Sequence, residues 1–188
     1  MISKDSHLQA LKSKLANFGA IRPQAWIKIL DNLKETELKM NESFTREIGS
    51  VAYVADGLLK EYNAQLRKKP SIINFICAGN FLITTKYNQS KYTKAIGSAK
   101  LVHVNLEILI SLFLKYNELK AIYDGVSSNY EDGIAFKQLI LEENLSATRI
   151  QMFIKKYRTI LPLLKKKDIA NYTHIEYEYF IRIYGKQL

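Results

Sequence analysis

The sequence predicts an α+β fold, with an N-terminal antiparallel β-roll or barrel, a long central helix and a C-terminal helix-turn-helix domain. Three observations carry this. Short extended runs broken by turn signals fill residues 50–104. From Leu106 onward the apolar period becomes helical, and residues 168–183 have the spacing of two short helices joined by a sharp turn. A chain of 188 residues, 47% apolar and 24% charged, is long enough to bury one large core or two small ones.

The first region opens with an amphipathic helical stretch, Leu8, Leu11, Leu15 and Phe18, followed by Trp26, Ile27 and Leu30. Six strands are then expected, at 50–55, 58–62, 72–76, 81–85, 92–96 and 101–104. Asp56-Gly57 reads as a hairpin turn, and Lys69-Pro70, Ala78-Gly79-Asn80 and Gly97-Ser98 punctuate the later runs. Leu106, Leu109, Ile110, Phe113 and Leu114 predict one helix, and a longer helix spans 118–143. On the longer helix Leu119, Ile122, Val126, Asn129, Gly133, Phe136 and Ile140 alternate by three and four. That spacing suits a two-helix dimer seam, and equally a helix packed on its own sheet. Gly125, Asn129 and Gly133 weaken a simple coiled coil and would permit a close helix approach or a ligand beside the seam.

At the C-terminal end Ile169, Ala170 and Tyr172 fit an inward-facing first helix, Ile175 follows the turn, and Tyr179, Phe180 and Ile183 supply the second helix with a buried stripe. Its other face carries Glu176, Tyr177, Glu178, Arg182 and Lys186, the groove-facing side chains of a DNA reader. Charge is distributed accordingly. The chain has net charge +10, and residues 146–188 hold nine Lys/Arg against three acids, net +6, whereas 118–145 hold two against six, net −4. The run Lys165-Lys166-Lys167 stands where a helix start would meet the phosphate backbone.

Other chemistry has little support. His7, His103 and His174 are scattered, with no metal-ligand spacing, so no metal and no cofactor are expected. There is no Gly-rich phosphate loop, and adjacent acids such as Glu131-Asp132 and Glu142-Glu143 read as solvated helix positions rather than general acid/base pairs. An enzyme is not expected. The one cysteine, Cys77, excludes a disulfide framework. With no signal-peptide pattern near Met1 and no apolar run of spanning length, a soluble, cytoplasmic protein without membrane contact is expected.

Strand roll, long helix and terminal helix-turn-helix, in that order, resemble the Crp/Fnr family of bacterial transcription regulators. The resemblance rests on residues 51–62 as strand, turn glycine and strand, on 73–81 with its Gly-Asn-Phe corner, on Asp168-Ile169-Ala170 at the first helix start, and on Glu178-x-x-x-Arg182 in the recognition helix. It implies a cyclic-nucleotide-binding-like sensor roll with flanking helices over 1–117, a dimerisation helix over 118–145 and a winged-helix-like DNA-binding domain over 146–188. It further implies a homodimer on double-stranded DNA, with an unidentified small-molecule effector and RNA polymerase as further partners. By the same resemblance Arg182 contacts a guanine and Glu178 a cytosine amino group, beside Lys166, Lys167, Glu176, Tyr177 and Lys186.

The departures from the family pattern are specific. Ile83-Thr84 stands where the effector cassette has Gly-Glu, and Gln89-Ser90 replaces its Arg-Ser. A neutral glutamine cannot supply the charge-assisted fork that holds a cyclic phosphate, so cyclic AMP binding by the usual chemistry is not expected. Any effector pocket would draw on Thr84, Tyr87, Gln89, Ser90 and Tyr92. His174 replaces the turn glycine and must then adopt a left-handed backbone. With Leu188 following the last helix so closely, any wing would lie before the module or be absent. The alternative function is a dimeric scaffold that keeps this fold without binding DNA, the roll grasping a protein or metabolite.

Overall fold

The computed structural model describes residues 4–64, 69–88 and 90–185. Helices α1 (Lys4–Ala16) and α2 (Pro23–Asn32) lead into strands β1 (Lys34–Leu38), β2 (Val51–Asp56), β3 (Leu58–Asn63), β4 (Ser71–Cys77), β5 (Phe81–Ile83), β6 (Lys91–Ala95) and β7 (Ala99–Val104). Then follow α3 (Leu106–Lys115), α4 (Glu118–Glu142), α5 (Ser146–Lys156), a 3₁₀ turn at Leu161–Leu163, α6 (Lys166–Thr173) and α7 (Tyr177–Tyr184). All six predicted strands form. Among the described residues no strand follows β7, so α5 to α7 carry no strand wing.

The strands make two antiparallel sheets, β1-β7-β2-β5 and β4-β3-β6. Asp56-Gly57 was expected to close a hairpin, yet β2 and β3 lie in different sheets, so the turn is a corner of the roll. Gly57 has φ 88, and a Cβ there would stand 2.5 Å from Ser98 O. Only glycine admits both that backbone and that approach. The turn at Gly79 (φ 86), between β4 and β5, also changes sheets. β1 has no counterpart in the sequence reading. Its residues Lys34, Glu35, Thr36 and Glu37 are too polar to signal a strand, but as an edge partner of β7 they need only one apolar anchor, the buried Leu38. Glu35 and Glu37 meet Lys100 across the pair at 3.4 and 3.6 Å.

Two apolar cores form, and α4 contributes to both. The first joins α1, α2 and the four-stranded sheet to the front half of α4 through Leu11, Trp26, Tyr53, Leu101, Ile122 and Val126. The second joins Leu58, Ile72 and Phe75 of the roll to Ile140, Phe153, Tyr157, Tyr172 and Phe180. Residues 146–185 therefore complete their core against the roll. At its centre Phe75 lies 5.8, 5.3 and 5.5 Å, ring to ring, from Phe153, Tyr157 and Tyr172.

The seam expected on α4 faces inward. Leu119, Ile122, Val126 and Ile140 are buried in the chain's own cores, Gly133 and Phe136 are half-buried, and only Asn129 is exposed. The stripe that suits a dimer seam is thus packed largely within the chain, against the roll and its flanking helices. Two glycines of the same helix are explained by close approach within the chain. A Cβ at Gly125 would stand 2.7 Å from Phe18, and one at Gly133 would stand 3.0 Å from the Asn74 carboxamide. On α2, Ile27 of the amphipathic stretch is 54% exposed, and Ile29 takes the inward position beside Trp26.

Candidate nucleic-acid interface and effector cleft

Helix α6 begins at Lys166 and ends where His174 enters the left-handed region at φ 54, ψ 41. The expected replacement of the turn glycine is thus accommodated by backbone geometry, and Ile175 N–H returns to Ala170 O at 3.0 Å. Ile169, Ala170, Tyr172 and Ile175 are buried as expected. Glu176 then caps α7, accepting from Tyr179 N–H at 3.0 Å. Backbone N–H groups, that of Tyr179 first, hold its carboxyl below the usual carboxylate range.

Helix α7 buries Phe180 and Tyr184, whose rings stack at 4.8 Å, with Ile183 half-buried beside them. Tyr179, expected in the buried stripe, is 44% exposed, because the pair at i and i+4 turns the adjoining residue outward. The outward face consequently carries Tyr177, Glu178, Tyr179, Ile181 and Arg182. The Arg182 guanidinium lies 5.5 Å over the Tyr179 ring, and Lys167 lies 5.4 Å over Tyr177. Lys166 is exposed and reaches over Tyr184 at 5.8 Å. Of the seven residues expected at a DNA interface, Lys166, Lys167, Glu176, Tyr177, Glu178 and Arg182 fall on or beside this surface, with Glu176 engaged as a cap. Lys186 lies outside the described residues.

Polar contacts anchor this module to the roll. Lys60 Nζ reaches both carboxylate oxygens of Asp168 at 3.2 Å. The Asn171 carboxamide accepts from Ile72 N–H at 2.6 Å and donates to Pro70 O at 3.1 Å. Ser71 Oγ shares a 2.8 Å hydrogen bond with His174 Nε2 and accepts from the buried Lys137 ammonium at 2.6 Å. Lys137 also donates to Ile72 O. None of these contacts was legible beforehand, since each joins residues about 65 to 110 positions apart.

Among the described residues, the expected effector residues do not converge on one cleft. Thr84 is buried, Tyr87 is 83% exposed, Ser90 is half-buried, and Tyr92 stacks on Tyr62 at 5.0 Å. Gln89 lies outside the described residues. Tyr87 does line a cleft of about 530 Å³ between roll and α4, with Asn88, Lys91, Ser127, Tyr130 and Glu131 among its other walls. Thr84 and Tyr92 do not line this cleft, and α4 contributes a wall that the strand residues alone did not suggest.

Behind that cleft sits a residue the sequence reading missed. Arg46, its side chain 5% exposed, meets the fully buried Glu61 at 2.5 Å. It also donates to Thr84 Oγ1 at 3.1 Å and to Ile83 O at 2.7 Å. Tyr130 OH donates to the same Glu61 oxygen at 2.5 Å. Burial works against the charge on Arg46, but Glu61 outweighs it and the guanidinium pKa is raised. Burial likewise pushes the Tyr130 phenol far up, so it remains a donor. The second Glu61 oxygen and Ser127 Oγ are buried without hydrogen-bond partners. No local pattern marks Arg46 in the sequence, because its side-chain partners lie 15 to 84 positions away.

No protein-family model and no curated protein sequence matches the chain. Solved structures are similar to it. A cyclic nucleotide-binding domain containing protein from Listeria monocytogenes superposes with TM-score 0.69 at 12% identity, over 96% of this chain and 89% of that one. A protein described as a transcriptional regulator of the Crp/Fnr family, from Eubacterium rectale, gives 0.68 at 13% identity, over 88% and 83%. FixK2 from Bradyrhizobium japonicum gives 0.67 at 14% identity, over 82% and 83%. The chain therefore has the Crp/Fnr fold, a β-roll of the cyclic-nucleotide-binding kind followed by a helical C-terminal domain. Among the described residues no helix is long and apolar enough to cross a membrane.

Proposed function

We propose that this chain is a sequence-specific, double-stranded DNA-binding regulator of transcription that acts as a dimer. The observation that carries the reading is the outward face of α7, where Tyr177, Glu178, Ile181 and Arg182 are exposed on a helix held rigidly by Phe180 and Tyr184. Arg182 is suited to a bidentate contact with guanine, Glu178 to a cytosine amino group and Ile181 to a thymine methyl. Lys166 and Lys167 at the start of α6 are placed for phosphate contacts. In this reading 1–117 senses, 118–145 connects and 146–188 reads.

Two copies would read half-sites about 34 Å apart, through a contact that leaves the buried stripe of α4 undisturbed. The effector, if there is one, is not cyclic AMP held in the usual way. The expected arginine position is Gln89, and the buried guanidinium near the cleft, Arg46, is committed to Glu61. Selection from a randomised duplex pool at near-physiological salt, with sequencing of the retained DNA, tests the proposal. A two-fold symmetric site should be enriched, and Arg182→Ala should lower specific affinity by about 1–3 kcal/mol while leaving the oligomeric state unchanged. Salt-sensitive retention without any enriched sequence would reject it in favour of a scaffold with a basic surface.

A further inference from the structure

A second cleft lies on the opposite side of α4 from the one that Tyr87 lines. It has a volume of about 420 Å³ and is walled by β4 and the β4-β5 turn, by the middle of α4 and by the end of α5. Three parts of the chain thus meet there: roll, connecting helix and reading domain. The polar lining includes Asn74, Asn80, Asn129, Asp132, Lys156 and Thr159, over a floor that includes Phe75 and Ile160.

Asn74 makes this a built site. It is 6% exposed, and no donor or acceptor among the described residues hydrogen-bonds its carboxamide. A Cβ at position 133 would stand 3.0 Å from both polar atoms of that carboxamide. Gly133 therefore lets the amide lie against the helix at the wall of the cleft. Unlike Glu61 Oε2 and Ser127 Oγ, its polar atoms are not sealed in the interior, so a molecule in the cleft can reach them. Asp132 enters the same cleft from α4 and Lys156 from α5, and the two are not ion-paired with each other. Lys156 instead reaches over the Phe136 ring at 5.1 Å.

We infer that this cleft binds a small zwitterion of the free α-amino-acid type. Its ammonium group meets the Asp132 carboxylate, its carboxylate meets the Lys156 ammonium, and a polar group between them satisfies the Asn74 carboxamide, which can both donate and accept. The volume falls in the range of small-molecule sites. An occupant would tie β4 to α4 and to the end of α5, and so bias the placement of α6 and α7. That regulatory consequence rests on the proposed DNA-binding function, whereas the binding itself does not.

The experiment is thermal melting of the full chain, without DNA, against each proteinogenic L-amino acid in turn. Controls are a primary amine lacking the acid and a carboxylate lacking the amine. At a hundredfold excess over Kd, a binding amino acid should raise Tm by roughly 5 °C or more, and the one-ended controls should not. Asp132→Asn and Lys156→Met, both at exposed positions, should each weaken Kd at least tenfold with an unchanged ligand-free Tm, and Asn74→Ala should do the same relative to its own ligand-free Tm. The inference is overturned if no amino acid raises Tm, if the one-ended controls act equally, or if the responses survive Asp132→Asn and Lys156→Met. Binding with no enriched DNA site would sink the DNA-binding function alone, and enriched DNA with no binding would sink this inference alone.

Discussion

Replacing Arg46 with methionine should destabilise the protein by about 3–5 kcal/mol, the cost of removing one member of a buried ion pair. The structure places Arg46 at that end of the scale. Its partner Glu61 is fully buried, has one oxygen already without a hydrogen-bond partner, and would keep only the Tyr130 hydroxyl on the other. Arg46→Met also removes the donor to Thr84 Oγ1 and one of the donors to Ile83 O, which keeps Asn88 Nδ2. For a chain of this length each kcal/mol is worth roughly 2–4 °C, so Tm should fall by roughly 6–20 °C. Urea unfolding of the single variant, of Glu61→Leu and of the double variant provides the assay. Arg46→Met/Glu61→Leu should recover much of the loss, because removing both charges together abolishes the uncompensated one, although Tyr130 OH and Thr84 remain to be satisfied. A loss below about 1 kcal/mol for Arg46→Met, or strictly additive losses in the double variant, would refute the claim that the two charges sustain each other in the interior.

Three further outcomes follow from local geometry. Gly57→Ala should cost at least about 2 kcal/mol in chemical denaturation, because φ is 88 and the new Cβ would meet backbone atoms, Ser98 O at 2.5 Å and Ala99 Cα at 2.7 Å; a neutral result would mean that the corner is mobile. His174→Ala and His174→Gly both forfeit the bond to Ser71, but only glycine relieves the left-handed backbone, so the glycine variant should be the more stable by about 1 kcal/mol. Arg22 grips Glu118 at 2.6 Å, and the hydrogen bond from Arg22 holds that carboxyl down at about 2. A depressed acid contributes stability that is complete above its ordinary value of 4.5 and is lost as pH falls towards 2. Part of the decline in Tm across that window should therefore be absent in Arg22→Met and reduced by salt, since the Arg22 side chain is 57% exposed.

Six of the seven strands and helices α3, α4, α6 and α7 were legible because each carries its own period, whereas β1 is too polar to signal one. All six expected strands formed, and His174 took the left-handed turn that its position demanded. What was not legible shares one physical cause. Periodicity identifies which face of an element is apolar, without identifying the neighbour that covers it. The α4 stripe at Leu119, Ile122, Val126 and Ile140 fitted a dimer seam as well as it fitted a roll, and the roll covers it. The turn Asp56-Gly57 signalled a reversal of direction, which a corner between sheets satisfies as readily as a hairpin. Tyr179 was assigned inward from its neighbours, but Phe180 and Tyr184 already fill the inward face of so short a helix. Polar site residues such as Arg46, Asn74 and Lys137 have no period at all, and their meaning arises only when distant strands bring partners to them.

If the chain is the proposed regulator, the shared second core constrains how a ligand could act on it. In a hinged arrangement, an effector would reorient a free reading domain through α4. Here Phe75 of β4 stands among Phe153, Tyr157 and Tyr172, and Asn171 hydrogen-bonds both Ile72 and Pro70. Moving α6 away from the roll would expose those rings and break the bonds of Asn171 to Ile72 N–H and Pro70 O and of Asp168 to Lys60. A displacement of that kind costs several kcal/mol, more than the 1–3 kcal/mol typical of coupling between sites. Movements that keep α6 seated on β4, small shifts of α4 and α5 against the roll, are the ones a ligand could drive. The cleft walled by Asn74, Asp132 and Lys156 lies where those shifts would be felt.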